Sequence, residues 1–121
     1  MKKLFINFSN HPSTQWSQEQ LDAANKFGEI IDLPFPNIDE KLDTASIHRL
    51  AETYVKKINE LTGNQPCTVH AMGEMTFTFY VVSRLKTFGY KCVASSTVRD
   101  VVFLPNGSKQ VAFHFSRFRE Y

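Results

Sequence analysis

The chain has 121 residues, 42% of them hydrophobic and 21% charged, with a net charge of +2. That length fits one domain with a substantial core, so a single α/β unit over residues 1–121 is expected. No apolar run is long enough to cross a membrane, and MKKLFINFSN turns polar too early for a secretory leader. The first strand is expected at Lys3–Phe8 and leads into Ser9-Asn10-His11-Pro12-Ser13, a loop dense in hydrogen-bonding groups. Ser17 and Gln20 have capping-box spacing, and Trp16 with Leu21 has hydrophobic-staple spacing. A first helix therefore starts there, and Gly28 stands where a C-terminal cap is expected. Glu29–Leu33 is the second strand, broken by Pro34-Phe35-Pro36-Asn37.

The second helix begins near Asp43 or Thr44. Ile47, Leu50, Ala51, Tyr54, Val55, Ile58 and Leu61 fall on one stripe of it, and Gly63 ends it. From Cys67 to Thr97 the pattern is strand, glycine turn, helix, strand, a parallel crossover unit. Cys67, Val69 and Ala71 run into Gly73, with His70, Met72, Glu74 and Thr76 placed around the turn. Gly73 is expected to let a ligand approach the backbone. The helix opened by Glu74 carries Phe77, Tyr80, Val81, Leu85 and Phe88, is apolar nearly all round, and is expected to be buried under the sheet or in a subunit contact. Lys91–Ser95 is the fourth strand, and Ser95-Ser96-Thr97 its polar exit. Val101–Leu104 and Val111–Phe115 then form a C-terminal β-hairpin about Asn106-Gly107.

Strands alternating with helices imply a doubly wound, Rossmann-like, mainly parallel sheet of order about 2-1-3-4, with the hairpin on the strand-4 edge. In that order the crevice lies between the loops after strands 1 and 3. Charge is distributed unevenly. Residues 84–121 hold seven basic and two acidic side chains, against seven and ten in residues 1–83. The C-terminal third therefore offers cations to an anionic ligand, and Arg117 and Arg119 share one face of an extended segment. No GxGxxG, P-loop, HExxH or GxSxG motif is present, so no cofactor or metal site is expected. Two cysteines inside strands, outside any CxxC pair, suit buried thiols in a reducing cytoplasm. No basic run suits duplex nucleic acid.

The segments INFSNHP and SQEQLDAA resemble small CRISPR-associated proteins of the CARF superfamily, some of which are ring nucleases acting on cyclic oligoadenylate. MGE and SSTVR look compatible with that group's strand-end loops. The resemblance is strongest over residues 4–24, weaker over 67–99, and fits a stand-alone member. It implies a homodimer that offers a symmetric ring two identical crevices. It also implies metal-independent cleavage by the substrate's own ribose 2′-OH. Ser9, Asn10 and Ser13 would then hold phosphate or ribose, beside Gly73, Thr76, Ser96 and Thr97. His11 or Glu74 would assist proton transfer, and Arg99 would meet the developing charge. A non-catalytic nucleotide-binding module, and a small hydrolase using Glu74 with His11 or His70, are the alternatives.

Overall fold

The structure, a computed structural model, describes residues 3–121. Five strands form one mixed sheet of order β2-β1-β3-β4-β5. They are β1 (Leu4–Ser9), β2 (Glu29–Asp32), β3 (Thr68–Met72), β4 (Lys91–Phe103) and β5 (Lys109–Glu120). β1 pairs in parallel with β2 and β3, and β3 with β4, while β5 runs antiparallel to β4. The strand order therefore reverses between β1 and β3.

Alternation along β1 assigns its side chains to two layers. Phe5 points to one face, where it packs with Ala24 of α1 (Gln18–Asn25) and with Val93. Ile6 and Phe8 point to the other, where they meet α2 (Thr44–Thr62) and α3 (Met75–Thr87) through Ala51, Val55, Phe77 and Val81. Helices thus cover both faces. The caps follow the sequence: Ser17 accepts from the Gln20 amide, Asp43 from the Ser46 amide, and Gly63 closes α2.

Gly28 does not serve as a helix cap. Its φ is not positive, and a Cβ there would lie 2.6 Å from the Lys3 carbonyl oxygen. It is glycine because the β1 backbone passes against it.

The C-terminal region also differs from expectation. The hairpin is not separate from the fourth strand. β4 continues for 13 residues, so Ser95-Ser96-Thr97 lies inside a strand, with a register shift at Ser96/Thr97. Only its first residues pair with β3, where His70 meets Val93. Beyond the shift, β4 and β5 form an exposed two-stranded arm on which Val98, Val102, Phe103 and Phe113 are each more than half exposed. Among the described residues no helix is long and apolar enough to cross a membrane.

Candidate functional site

Asn7 is the polar position in the middle of the strand LFINFS, and it is only 2% exposed. A buried amide needs partners for both its donor and acceptor atoms. Its Nδ2 donates to the His11 carbonyl and to Asp32 Oδ1, each at 2.8 Å. Its Oδ1 accepts from Ser9 Oγ at 2.8 Å and lies 2.9 Å from His70 Nδ1. With Nδ2 donating twice, Oδ1 is an acceptor and His70 Nδ1 carries the proton. His70 Nε2 is then the bare nitrogen and faces Ser95 Oγ at 3.3 Å, while the same hydroxyl lies 3.0 Å from Met72 Sδ.

His70 is thus a mid-strand residue and not part of the turn. It is enclosed by the rings of Phe5, Trp16 and Phe118. Burial lowers its pKa from the usual 6.5 to about 4, and the neighbouring His11 pushes the same way. The ring is therefore neutral near pH 7.

The network extends outward along the loop after β1. Ser13 donates its amide and hydroxyl to the Asp32 carboxylate at 3.1 and 2.8 Å. Trp16 Nε1 donates to the His11 carbonyl at 3.1 Å, so this indole is a polar anchor as well as a packing residue. Asn7, Ser9, Asn10, Asp32 and Phe35 line a cavity of about 230 Å³. Asn10 and Phe35 also line a second one, of about 340 Å³, with Asn37 and Glu74. Both lie beyond the carboxyl ends of β1 and β2, and Glu74 in the wall of the second extends them to the turn after β3, where the strand order reverses. Their walls hold two carboxylates and neither Lys nor Arg.

The turn after β3 is built differently from its sequence reading. Gly73 is seated against Phe35: a Cβ on Gly73 would lie 2.2 Å from the Phe35 ring. Glu74 caps α3, its carboxylate accepting from the amides of Thr76 and Phe77 and from the Thr76 hydroxyl. These bonds, led by that from the Thr76 side chain, lower the Glu74 pKa. The helix start already holds an anion, one belonging to the chain itself.

Of the expected site residues, Ser9, Asn10 and Ser13 lie at the crevice, with Glu74 on the far side of the second cavity. His11 is exposed beside them, and its ring makes no hydrogen bond among the described residues. Thr76 is tied to Glu74. Ser96, Thr97 and Arg99 lie in β4 beyond the last residues paired with β3. Arg99 is four residues past Ser95, roughly 13 Å along the strand, and is not drawn into the crevice. Asn7 and Asp32 are absent from the expected set, while His70 stands there only in the hydrolase alternative and Ser95 only in the polar exit of the fourth strand. The signal for Asn7 and His70 was available: each is a polar residue in the middle of a short strand, with apolar neighbours on both sides. Among the described residues no three His, Cys, Asp or Glu side chains gather as for a metal ion.

A mixed, mostly parallel sheet with helices on both faces makes the chain a single α/β domain. The family lies one step further. Residues 3–119 match the uncharacterized protein MJ1673 family, and the chain belongs to it. No curated protein and no solved structure matches the chain.

Proposed function

We propose that this domain binds a nucleotide at the crevice between β1 and β3, and that the ligand is a cyclic oligoadenylate. The observation that carries the reading is the pair of hollows beyond β1 and β2, with Ser9, Asn10, Asp32 and Asn37 in their walls and Glu74 reaching in from the turn after β3. Open α/β sheets hold their ligands there. Asp32 ends β2, the place from which a carboxylate accepts ribose hydroxyls in Rossmann-like domains. Asn10 and Ser13 supply amide and hydroxyl groups for the remaining ribose and phosphate oxygens.

Ring opening at such a site uses the ligand's own chemistry. The ribose 2′-oxygen bonds to the adjacent phosphorus, the bond from phosphorus to the next 5′-oxygen breaks, and a proton passes from the 2′-OH to that leaving oxygen. His11 is the residue free to move that proton. Glu74 is not, because its carboxylate is held by α3. That same engagement weighs against a Glu74-based hydrolase. The distance of Arg99 along β4 favours the non-catalytic binding module as the second reading.

The protein acts as a homodimer. α3 buries Phe77, Val81, Val82 and Leu85 within the chain, and the apolar β4–β5 arm is the face left for a second copy. A two-stranded ribbon standing alone is marginal in water, and a second copy covers it.

The test is incubation with cyclic tri-, tetra- and hexa-adenylate in the presence of a chelator, with binding followed by calorimetry and products resolved by chromatography. Linear products ending in a cyclic phosphate establish cleavage, and binding without products establishes the module. No binding of any ring removes the proposal.

A further inference from the structure

α3, the end of β3 and Tyr121, which follows β5, border a cavity of about 600 Å³. Its walls are apolar: Met72, Met75, Phe79, Val82 and the Tyr121 ring. Met75 and Phe79 are 83% and 76% exposed, although they stand on a helix whose other apolar residues are buried. Tyr121 is held in place at both ends. Its phenol donates to the Ala71 carbonyl at 2.6 Å, and Lys86 Nζ donates to its main-chain oxygen at 2.9 Å.

One cation lines this cavity, and two more stand further back on the same strand face. Lys86 lines it. Arg119 and Arg117 precede Tyr121 by two and four residues in the extended segment, so they share its face at roughly 7 and 13 Å. They lie opposite Ala94 and Ser96 of β4. Neither guanidinium has an ion pair or hydrogen bond among the described residues. The neighbouring Glu120 points to the other face, toward Lys91. An apolar hollow with Lys86 in its wall, and two unpaired, forked cations along the strand that leads to it, fits a ligand with an apolar body and a phosphate group.

We propose that this cavity binds an organic phosphate. Its apolar body lies against Phe79, Met75 and Met72, and its phosphate meets Arg119 with Arg117 or Lys86. The site is separate from the switch-point crevice and stands whether or not that crevice takes a cyclic oligoadenylate. A nucleotide base and a short alkyl chain both satisfy the apolar requirement, and the probes distinguish them.

The experiment titrates the full chain with adenosine 5′-monophosphate and with octyl phosphate, using adenosine and inorganic phosphate as controls. At least one organic phosphate binds at least tenfold more tightly than either control. Arg119→Ala weakens it tenfold or more and Phe79→Ala at least fivefold, while Asn10→Ala at the crevice leaves it unchanged. Both altered residues are exposed, so the variants keep the fold, which circular dichroism checks. Binding of neither probe overturns the proposal. So does a loss of binding in Asn10→Ala with Arg119→Ala intact, which places the anion in the crevice. So does a dimer, seen by light scattering, that dissociates on Phe79→Ala and shows this face to be covered by a second copy.

Discussion

The α1 side of the sheet and the β5 end of its other side treat their polar groups in opposite ways. On the α1 side, Asn7, Ser9, His70, Asp32 and Ser13 bond to one another, and the amide at the centre uses both its oxygen and its nitrogen. On the α3 side, Arg117 and Arg119 stand without ion pairs among the described residues, beside an apolar cavity. A closed network fixes geometry and is costly to disturb. Open cations contribute little to the fold and are available to something outside it. The first arrangement holds the crevice loops in register, and the second invites an anion.

The comparison predicts its largest effect at Asn7. Asn7→Ala leaves buried His70 Nδ1 without a partner and takes one bond each from Ser9 Oγ and the His11 carbonyl, which keep each other and, for the carbonyl, Trp16. An unsatisfied buried group costs about 1–3 kcal/mol, so the variant loses about 3 kcal/mol of unfolding free energy by urea titration. A loss below 1 kcal/mol would mean that water replaces the amide and that the network is not closed.

Next in size is a pH effect with a definite sign. The folded-state pKa of His70 lies at about 4, below its ordinary 6.5, because burial disfavours the charged ring. The unfolded chain therefore takes up the proton first. The contribution is complete above pH 6.5 and is lost as pH falls from 6.5 toward 4. The gap corresponds to about 3 kcal/mol at one pH unit per 1.36 kcal/mol. The depressed carboxylates of Asp43, Glu52 and Glu74 act at lower pH, starting from their ordinary values of 3.8 and 4.5. In His70→Gln the slope of stability between pH 6.5 and 4.5 therefore flattens. An unchanged slope would assign it to another group.

Much of this was legible in the sequence. The period of α2, the Ser17 and Asp43 caps, the parallel crossover after Cys67 and the 2-1-3-4 order all follow from local spacing and the rules of chain connection. Local rules failed where a distant partner decides the outcome. Gly73 is glycine because Phe35, 38 positions earlier, lies over it, and no pattern around Gly73 states that. Ser95-Ser96-Thr97 has the composition of a strand exit, yet β5 pairs with it and carries it onward. Asn7 and His70 are 63 positions apart and meet only when β1 and β3 pair.

Gly73→Ala probes that seat, with an expected effect of about 1–3 kcal/mol from overpacking. The Phe35 ring stands 4.9 Å from the Phe8 ring and 5.2 Å from that of Phe77, so it has little room to give. Phe35→Leu on its own also destabilises by removing ring contacts. Combined with Gly73→Ala, it relieves the clash, and the double variant is more stable than the sum of the single losses predicts. Simple additivity in chemical denaturation would show that the methyl is absorbed elsewhere.

The smallest expected effect falls on the other side of the sheet and is the sharpest check of the contrast. Arg119 is exposed, lies opposite Ala94 and has no ion pair among the described residues, so its truncation removes no bond the fold relies on. Lys86 and Arg117 are positive neighbours, and removing one charge from such a group relieves repulsion. Arg119→Ala therefore changes the unfolding free energy by less than about 0.5 kcal/mol, with any shift toward greater stability at low ionic strength. Guanidinium chloride masks such a term through its own salt, so the measurement is a urea titration at two salt concentrations. A destabilisation above 1 kcal/mol would mean that the guanidinium holds the sheet edge, and the α3 side would then be a second structural network rather than an open site.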